Sequence, residues 1–411
     1  MPESGSRQLA GQSLRDARRD ALSLALIDSR NHTLRWIAVY EQAQGADALR
    51  RSPAPGIDPP LWTLGHIGWY QERWIARNIQ RGRGAACDPT QPPLAPIRAD
   101  ADRWFDPQLA STADRVGLDF PDLQALRNDL AAGIELALEL LEAAADSDEE
   151  LYFFRLVLCH ESRFGESLAT DAQSLGLPLG DAGGLLAELV TPTLRPPLQF
   201  PATRWTLGSP PIGFALDNEL PMQPVDVPEF EIDSQPVSWA QYAEFVADGG
   251  YDDPRWWSEA GWRWVQQTER RVPRHVSQMR HGVLLQRFGQ IARVPLGQPA
   301  MHLAWFEAEA WCRWAGRRLP SEVEWEVAVH QGASRGFRWG DVWEWTASTF
   351  RPYPGFEPGP DRSWSQPCFG VCKVLRGASF ATAARLRHRK FRHFLRPERD
   401  DAFCGFRSCA V

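Results

Sequence analysis

Leu158-Cys159-His160-Glu161-Ser162-Arg163-Phe164-Gly165-Glu166 and Leu64-Gly65-His66-Ile67-Gly68-Trp69-Tyr70-Gln71-Glu72 decide how the first half of the chain is read. Each histidine sits inside a long apolar-periodic segment, the pattern of a helix with one face turned to a core. Two imidazoles far apart in sequence can then converge between neighbouring helices and hold a metal. Outward from these stretches, Leu22, Ala25, Leu26, Thr33, Leu34, Ile37 and Tyr40 recur at three-, four- and seven-residue spacings and predict a helix over 16–44. Pro59-Pro60 opens a second helix over 61–79, since proline is tolerated in a first turn. A Leu-, Ala- and Glu-rich run over 122–145 and the segment 149–175 that carries His160 complete four helices, which fit an antiparallel bundle.

The run Thr191-Pro192-Thr193-Leu194-Arg195-Pro196-Pro197 reads as a linker, and beyond it the composition changes to short segments rich in Trp, Gly and Pro. Strand-like stretches fall at 228–233, 339–347 and 374–380, interrupted by helices at 238–247 and 305–315. That pattern predicts an irregular, turn-rich α+β domain whose core is built on aromatics. With 411 residues the chain exceeds one ordinary core, so the expected division is a bundle over 1–190 and a second domain over 198–411.

A net charge of -7 and a pI near 5.8 argue against a general nucleic-acid binder, which needs a basic face, and favour a small-molecule substrate. Met1 to Leu14 is polar, and no window has the roughly 18 uninterrupted apolar residues of a membrane span. A cytoplasmic enzyme is the expectation. Seven thinly spread cysteines suggest free thiols over a disulfide framework, with Cys368/Cys372 and Cys404/Cys409 as the pairs of interest. The basic residues Arg385, Arg387, Arg389, Lys390 and Arg392 are spaced largely as on one strand face, either solvated or gripping a substrate carboxylate.

Pro236-Val237-Ser238-Trp239-Ala240-Gln241-Tyr242, the run from Trp311 to Glu326 (WCRWAGRRLPSEVEWE), Asp341-Val342-Trp343-Glu344-Trp345-Thr346 and Leu375-Arg376-Gly377-Ala378-Ser379-Phe380 resemble the formylglycine-generating-enzyme/sulfatase-modifying family, which implies a C-type-lectin-like fold. The copper-binding cysteine pair of its formylglycine-generating members has no counterpart in 381–387, so the resemblance does not carry that activity. The first half resembles the DinB-like four-helix bundle that precedes this domain in the ergothioneine-type sulfoxide synthases. Asp217-Asn218-Glu219, the stretch from Asp248 to Trp257 and Tyr353-Pro354-Gly355-Phe356 agree with the same two-domain family.

That resemblance implies a non-haem iron(II), dioxygen-dependent enzyme acting on hercynine, with no nucleic-acid or membrane partner. His66 and His160 match two of the family's three iron-binding histidines, and Phe164 stands where the third would be. The vacant role could pass to Glu161, to Glu166, to His32 or to water, although Glu166 lies about 240° around the helix from His160. Trp364 takes the place of the family's catalytic tyrosine, and the substrate-contacting stretch reads Phe391-Arg392-His393-Phe394-Leu395-Arg396, with Leu395 where the family has an acidic residue. Arg163, Phe164, His393, Phe394 and Arg396 are the expected substrate-binding residues, with Trp364 and Phe394 forming an aromatic wall for a trimethylammonium group. Without that acid the amino group of cysteine or γ-glutamylcysteine loses its ionic partner. The pattern is therefore most similar to the selenoneine synthases, which join hercynine to a selenosugar. An ordinary hercynine sulfoxide synthase and a non-catalytic betaine- or sugar-binding descendant are the alternatives.

Overall fold

The structure, a computed structural model, describes residues 13–411 apart from 55, 110, 112 and 113. The polar N-terminal stretch 1–12 therefore lies outside the described residues. Four long helices form the first half: α1 (Arg19–Gln44), α2 (Pro60–Gln71), α4 (Leu123–Ala143) and α5 (Asp148–Leu175), with a short α3 (Ala101–Phe105) before α4. Their ends follow local chemistry. Asp122 caps α4 by accepting from the Ala125 N–H at 2.8 Å, and Ser147 caps α5 by accepting from the Glu150 N–H at 3.3 Å. Asp148, Glu149 and Glu150 occupy the first turn of α5, where negative charge suits the helix dipole. Gly176 ends the helix in the left-handed region at φ 65°. One departure from the expected 61–79 helix is that α2 gives way at Gln71 to a π-turn over Glu72–Ala76.

After an extended passage through 191–197 the second half begins with the strand Leu198–Phe200. Helices α6 (Trp239–Ala247), α7 (Glu259–Thr268), α8 (Trp305–Trp314) and α9 (Glu322–Gln331) surround short sheets, of which α7 and α9 were not expected from sequence. The sheet that reaches the first half has the order β3-β2-β1-β4, built from β1 (Trp343–Thr349), β2 (Lys373–Gly377), β3 (His393–Leu395) and β4 (Cys404–Phe406). Trp239, Trp325 and Trp345 are fully buried, so the core is aromatic as its composition suggests.

The basic run 385–392 is not a strand face. Ala384–Leu386 is a 3₁₀ turn, and several of these cations are anchored: Arg385 to Asp28, Lys390 to Glu326 and Arg392 to Glu322, while Arg387 donates to the carbonyls of Thr382 and Ser379. Lys390 and Arg392 thereby pair buried carboxylates, whereas Asp28 is exposed. All seven cysteines are free; Cys404 and Cys409 lie in separate core clusters, whereas the thiols of Cys368 and Cys372 are hydrogen-bonded to each other.

The two halves are tied by polar contacts. Arg15 meets Glu219 at 2.6 Å, Gln173 bonds the backbone of Gln286 and Phe288, and Tyr70 donates to Asp361 at 2.7 Å. Glu166 accepts from Trp343 Nε1 and Thr382 Oγ1, each at 2.8 Å, and from Ser379 Oγ. Among the described residues no helix is long and apolar enough to cross a membrane.

Candidate active site

Helices α2 and α5 run side by side and bring His66 and His160 together: their Nε2 atoms are 3.1 Å apart. His66 Nδ1 donates to the Phe105 carbonyl at 2.8 Å, which fixes the tautomer and leaves its Nε2 bare. Burial drives the His66 pKa down to about 4 and that of His160 well below its ordinary value, the neighbouring His66 and Arg163 adding to the latter. Both imidazoles are therefore neutral at neutral pH, the form that ligates metals. Two nitrogens bound at right angles to one metal at about 2.1 Å stand about 3 Å apart, so the pair fits two adjacent ligand positions. The same separation suits a single N–H···N bond in the metal-free chain.

The surrounding rings hold these imidazoles in place. Trp62 and Trp69 stack on His66 at centroid distances of 4.9 and 5.5 Å, and Tyr70 lies on His160 at 3.5 Å with planes 3° from parallel. Phe164 sits one turn after His160, its ring 4.7 Å from that imidazole and 5.1 Å from that of His66, so it covers both without ligating either. The residues considered as replacement ligands are engaged elsewhere. Glu161 pairs with Arg30 at 2.8 Å and accepts from Thr33, the Trp36 indole donates to His32 Nε2 at 3.0 Å, and Glu166 is tied to the second domain. Among the described residues no three His, Cys, Asp or Glu side chains group to hold a metal. The donor set thus fits a metal with two protein nitrogens, its other positions open to water or substrate.

A cleft of about 480 Å³ opens on this pair between the two halves, walled by the α2 and α5 residues and by the β1–β2 loop with Asp361 and Trp364. A second chamber of about 220 Å³ lies toward the sheet, and Arg163, Phe164 and Trp364 line both. Arg163 lies against the face of Trp364, whose buried Nε1 has no protein acceptor. In the second chamber, His393 packs on Trp343 at 4.7 Å, and burial lowers its pKa to about 3. Leu395 lines the same chamber, and Glu166 is its one carboxylate-bearing residue.

Two expected substrate contacts are corrected here. Phe394 faces away from both cavities, because strand alternation puts His393 and Leu395 on the chamber side and Phe394 on the other, where it stacks on Phe350 at 4.2 Å and backs Trp364 at 4.6 Å. Arg396 lies just beyond the end of β3, is exposed, and lines neither cavity. The sequence reading missed Tyr70, Phe105 and Asp361. Tyr70 had a signal, four residues after His66 on one helix face, whereas the contacts of Phe105 and Asp361 depend on chain segments distant in sequence.

Residues 200–341 and 338–410 match the sulfatase-modifying factor enzyme 1-like domain, and 29–156 match the DinB superfamily. A hercynine oxygenase of Mycolicibacterium smegmatis is 33% identical over 95% of this chain and 98% of its own. One from Mycobacterium tuberculosis is 33% identical over 86% of this chain and 91% of its own. A formylglycine-generating enzyme of Mycobacterium tuberculosis is 30% identical over 30% of this chain and 48% of its own length.

Proposed function

Because the chain belongs to the family of the hercynine oxygenases, we propose that it is a dioxygen-dependent enzyme that joins a chalcogen atom to the imidazole of hercynine, with iron(II) held by His66 and His160. The observation that carries this reading is the 3.1 Å approach of two neutral imidazoles on the floor of an interdomain cleft. Iron, when bound, supplies the binding and activation of dioxygen. The chain's own groups do the rest. Phe105 O and the Tyr70 ring orient the two ligands, while Trp62, Trp69 and Phe164 keep water from their faces. Tyr70 holds its proton toward Asp361, and Trp364 presents an N–H that no protein group accepts.

The hercynine oxygenase relatives favour a first reading, sulfoxide-synthase chemistry on hercynine as in ergothioneine formation, for which cysteine or γ-glutamylcysteine is the donor we propose. A selenosugar donor is the second reading, and a specific observation favours it. Among the described residues lining the second chamber the one carboxylate, Glu166, already accepts from Trp343, Ser379 and Thr382, and Leu395 offers no charge. A donor ammonium there would be desolvated beside Arg163 without a free anion, the charge of Arg399 being already met by Asp401, whereas a neutral sugar would not.

The test is product mass after incubation with hercynine, iron(II) and dioxygen and with a selenosugar, cysteine and γ-glutamylcysteine in competition. A hercynine adduct of any of the three supports the proposed chemistry, and the preferred donor decides between the readings. Full iron loading with no hercynine adduct from any donor would overturn it.

A further inference from the structure

Resting on the hercynine reading above, we propose that Arg163 is the carboxylate receptor of the cleft, so that its guanidinium grips the acid end of a trimethylammonio acid and sets which end faces the two histidines. The first ground is that Arg163, half-buried at the cavities it lines, lacks the ion pair that the buried arginines have. Arg30, Arg155, Arg376, Arg392 and Arg407 each meet a carboxylate within ion-pair distance. Arg163 has no such partner among the described residues: it is hydrogen-bonded to the Cys159 thiol and lies against Trp364. Asp361 contributes to its field, yet one oxygen of that carboxylate accepts from Tyr70 and the other from the Ser363 backbone and hydroxyl. The Arg163 guanidinium is charged at neutral pH, as an arginine side chain is throughout the ordinary pH range.

The second ground is position. Arg163 follows His160 by three residues on α5, about 4.5 Å along the helix axis and on the same side. It lines the second chamber and both the cleft and a small hollow that His160 also lines, so its charge opens on the space around that histidine. A partly desolvated cation without an anion is unfavourable, and an incoming carboxylate would relieve it through the bidentate geometry that a planar guanidinium offers. The same charge repels a quaternary ammonium. The trimethylammonium group, borne on the same carbon as the carboxylate, must then turn away from the guanidinium, which fixes one orientation about that carbon.

The experiment is calorimetric titration, with dioxygen and chalcogen donor withheld, of hercynine and its decarboxylated counterpart N,N,N-trimethylhistamine into the wild type, Arg163→Lys and Arg163→Gln. We expect the wild type to prefer hercynine. Arg163→Gln should weaken hercynine binding at least about tenfold while moving trimethylhistamine less than about threefold, the scale of a lost charged hydrogen bond, with Arg163→Lys in between. Because the ligand-free charge is uncompensated, Arg163→Gln should also melt at or above the wild-type temperature. Equal losses for both ligands, no wild-type preference for hercynine, or a variant that melts well below the wild type would overturn the assignment and leave the hercynine reading intact. A wild type that binds neither ligand would overturn both.

Discussion

The Tyr70 ring lies flat on the His160 imidazole, centroids 3.5 Å apart, while its hydroxyl donates to Asp361 at 2.7 Å. One side chain therefore clamps a proposed metal ligand of the bundle and holds the β1–β2 loop that carries Trp364. Tyr70→Phe should keep the clamp and lose the tie, costing about 1.5–3 kcal/mol if the hydrogen bond is to an ionised carboxylate. Tyr70→Leu should lose both. Urea unfolding checks the first, and iron content checks the second: lower loading in the leucine variant than in the phenylalanine variant is expected, and equal loading would show that the stack does not orient His160.

His66→Ala and His160→Ala should each abolish iron loading, because a single protein nitrogen cannot retain an exposed divalent metal. Phe164→Ala should load as the wild type does. Phe164→His places a third imidazole against the other two and should tighten iron binding by about tenfold or more, on the scale of the ligand effects seen in metal sites. Metal analysis of anaerobically loaded proteins decides it, and a Phe164→His variant no tighter than wild type would mean that this position cannot reach the metal.

Phe394 packs behind Trp364 and lines neither cavity, so its truncation should be a stability change. Phe394→Ala should cost about 3–5 kcal/mol in unfolding free energy. Hercynine and histidine affinities should fall together, since no cation–π contact is removed selectively. A loss confined to hercynine would put Phe394 back in the pocket wall.

Stability should peak between about pH 6.5 and 7. Burial holds the pKa of His388 and of His393 down at about 3, and that of His302 well below its ordinary value. Between these values and the ordinary 6.5 the unfolded chain takes up protons that the folded chain refuses, so stability falls as pH drops through that window. Burial raises Asp171 to about 7 and Glu307 to about 8. For these the folded chain holds protons that the unfolded chain has released, so stability also falls as pH rises through 7 and 8. Denaturation midpoints across pH 4.5 to 8.5 provide the check: a flat profile from 6.5 down to 5 would contradict the neutral buried histidines.

Leu395→Asp puts a carboxylate into the chamber beside His393. Turnover with cysteine or γ-glutamylcysteine should rise relative to the selenosugar, since the donor ammonium gains its partner. The ratio of kcat/KM values for the two donor types is the readout, and an unchanged ratio would remove Leu395 from donor choice.

The helix pattern, the linker at 191–197, the aromatic core and the His66/His160 pair were legible in the sequence, because apolar periodicity and helix capping are set by residues within a few positions of one another. Everything that depends on which distant side chain arrives first was decided by tertiary structure. Glu161, His32 and, less favourably placed on its helix, Glu166 were open candidates for a ligand role until Arg30, Trp36 and Trp343 engaged them as hydrogen-bond partners. Phe394 read as a pocket wall until the pairing of Val374 with Phe394 turned it to the far side of the sheet and left His393 and Leu395 in the chamber. The basic run at 385–392 read as a solvated strand until the carboxylates of Asp28, Glu322 and Glu326 came to meet it. For Phe394 the reason is the register of its strand, and for the polar groups it is the need for a partner. A buried polar group must find a partner, and the partner's place in the chain is fixed only by the packing of the two domains.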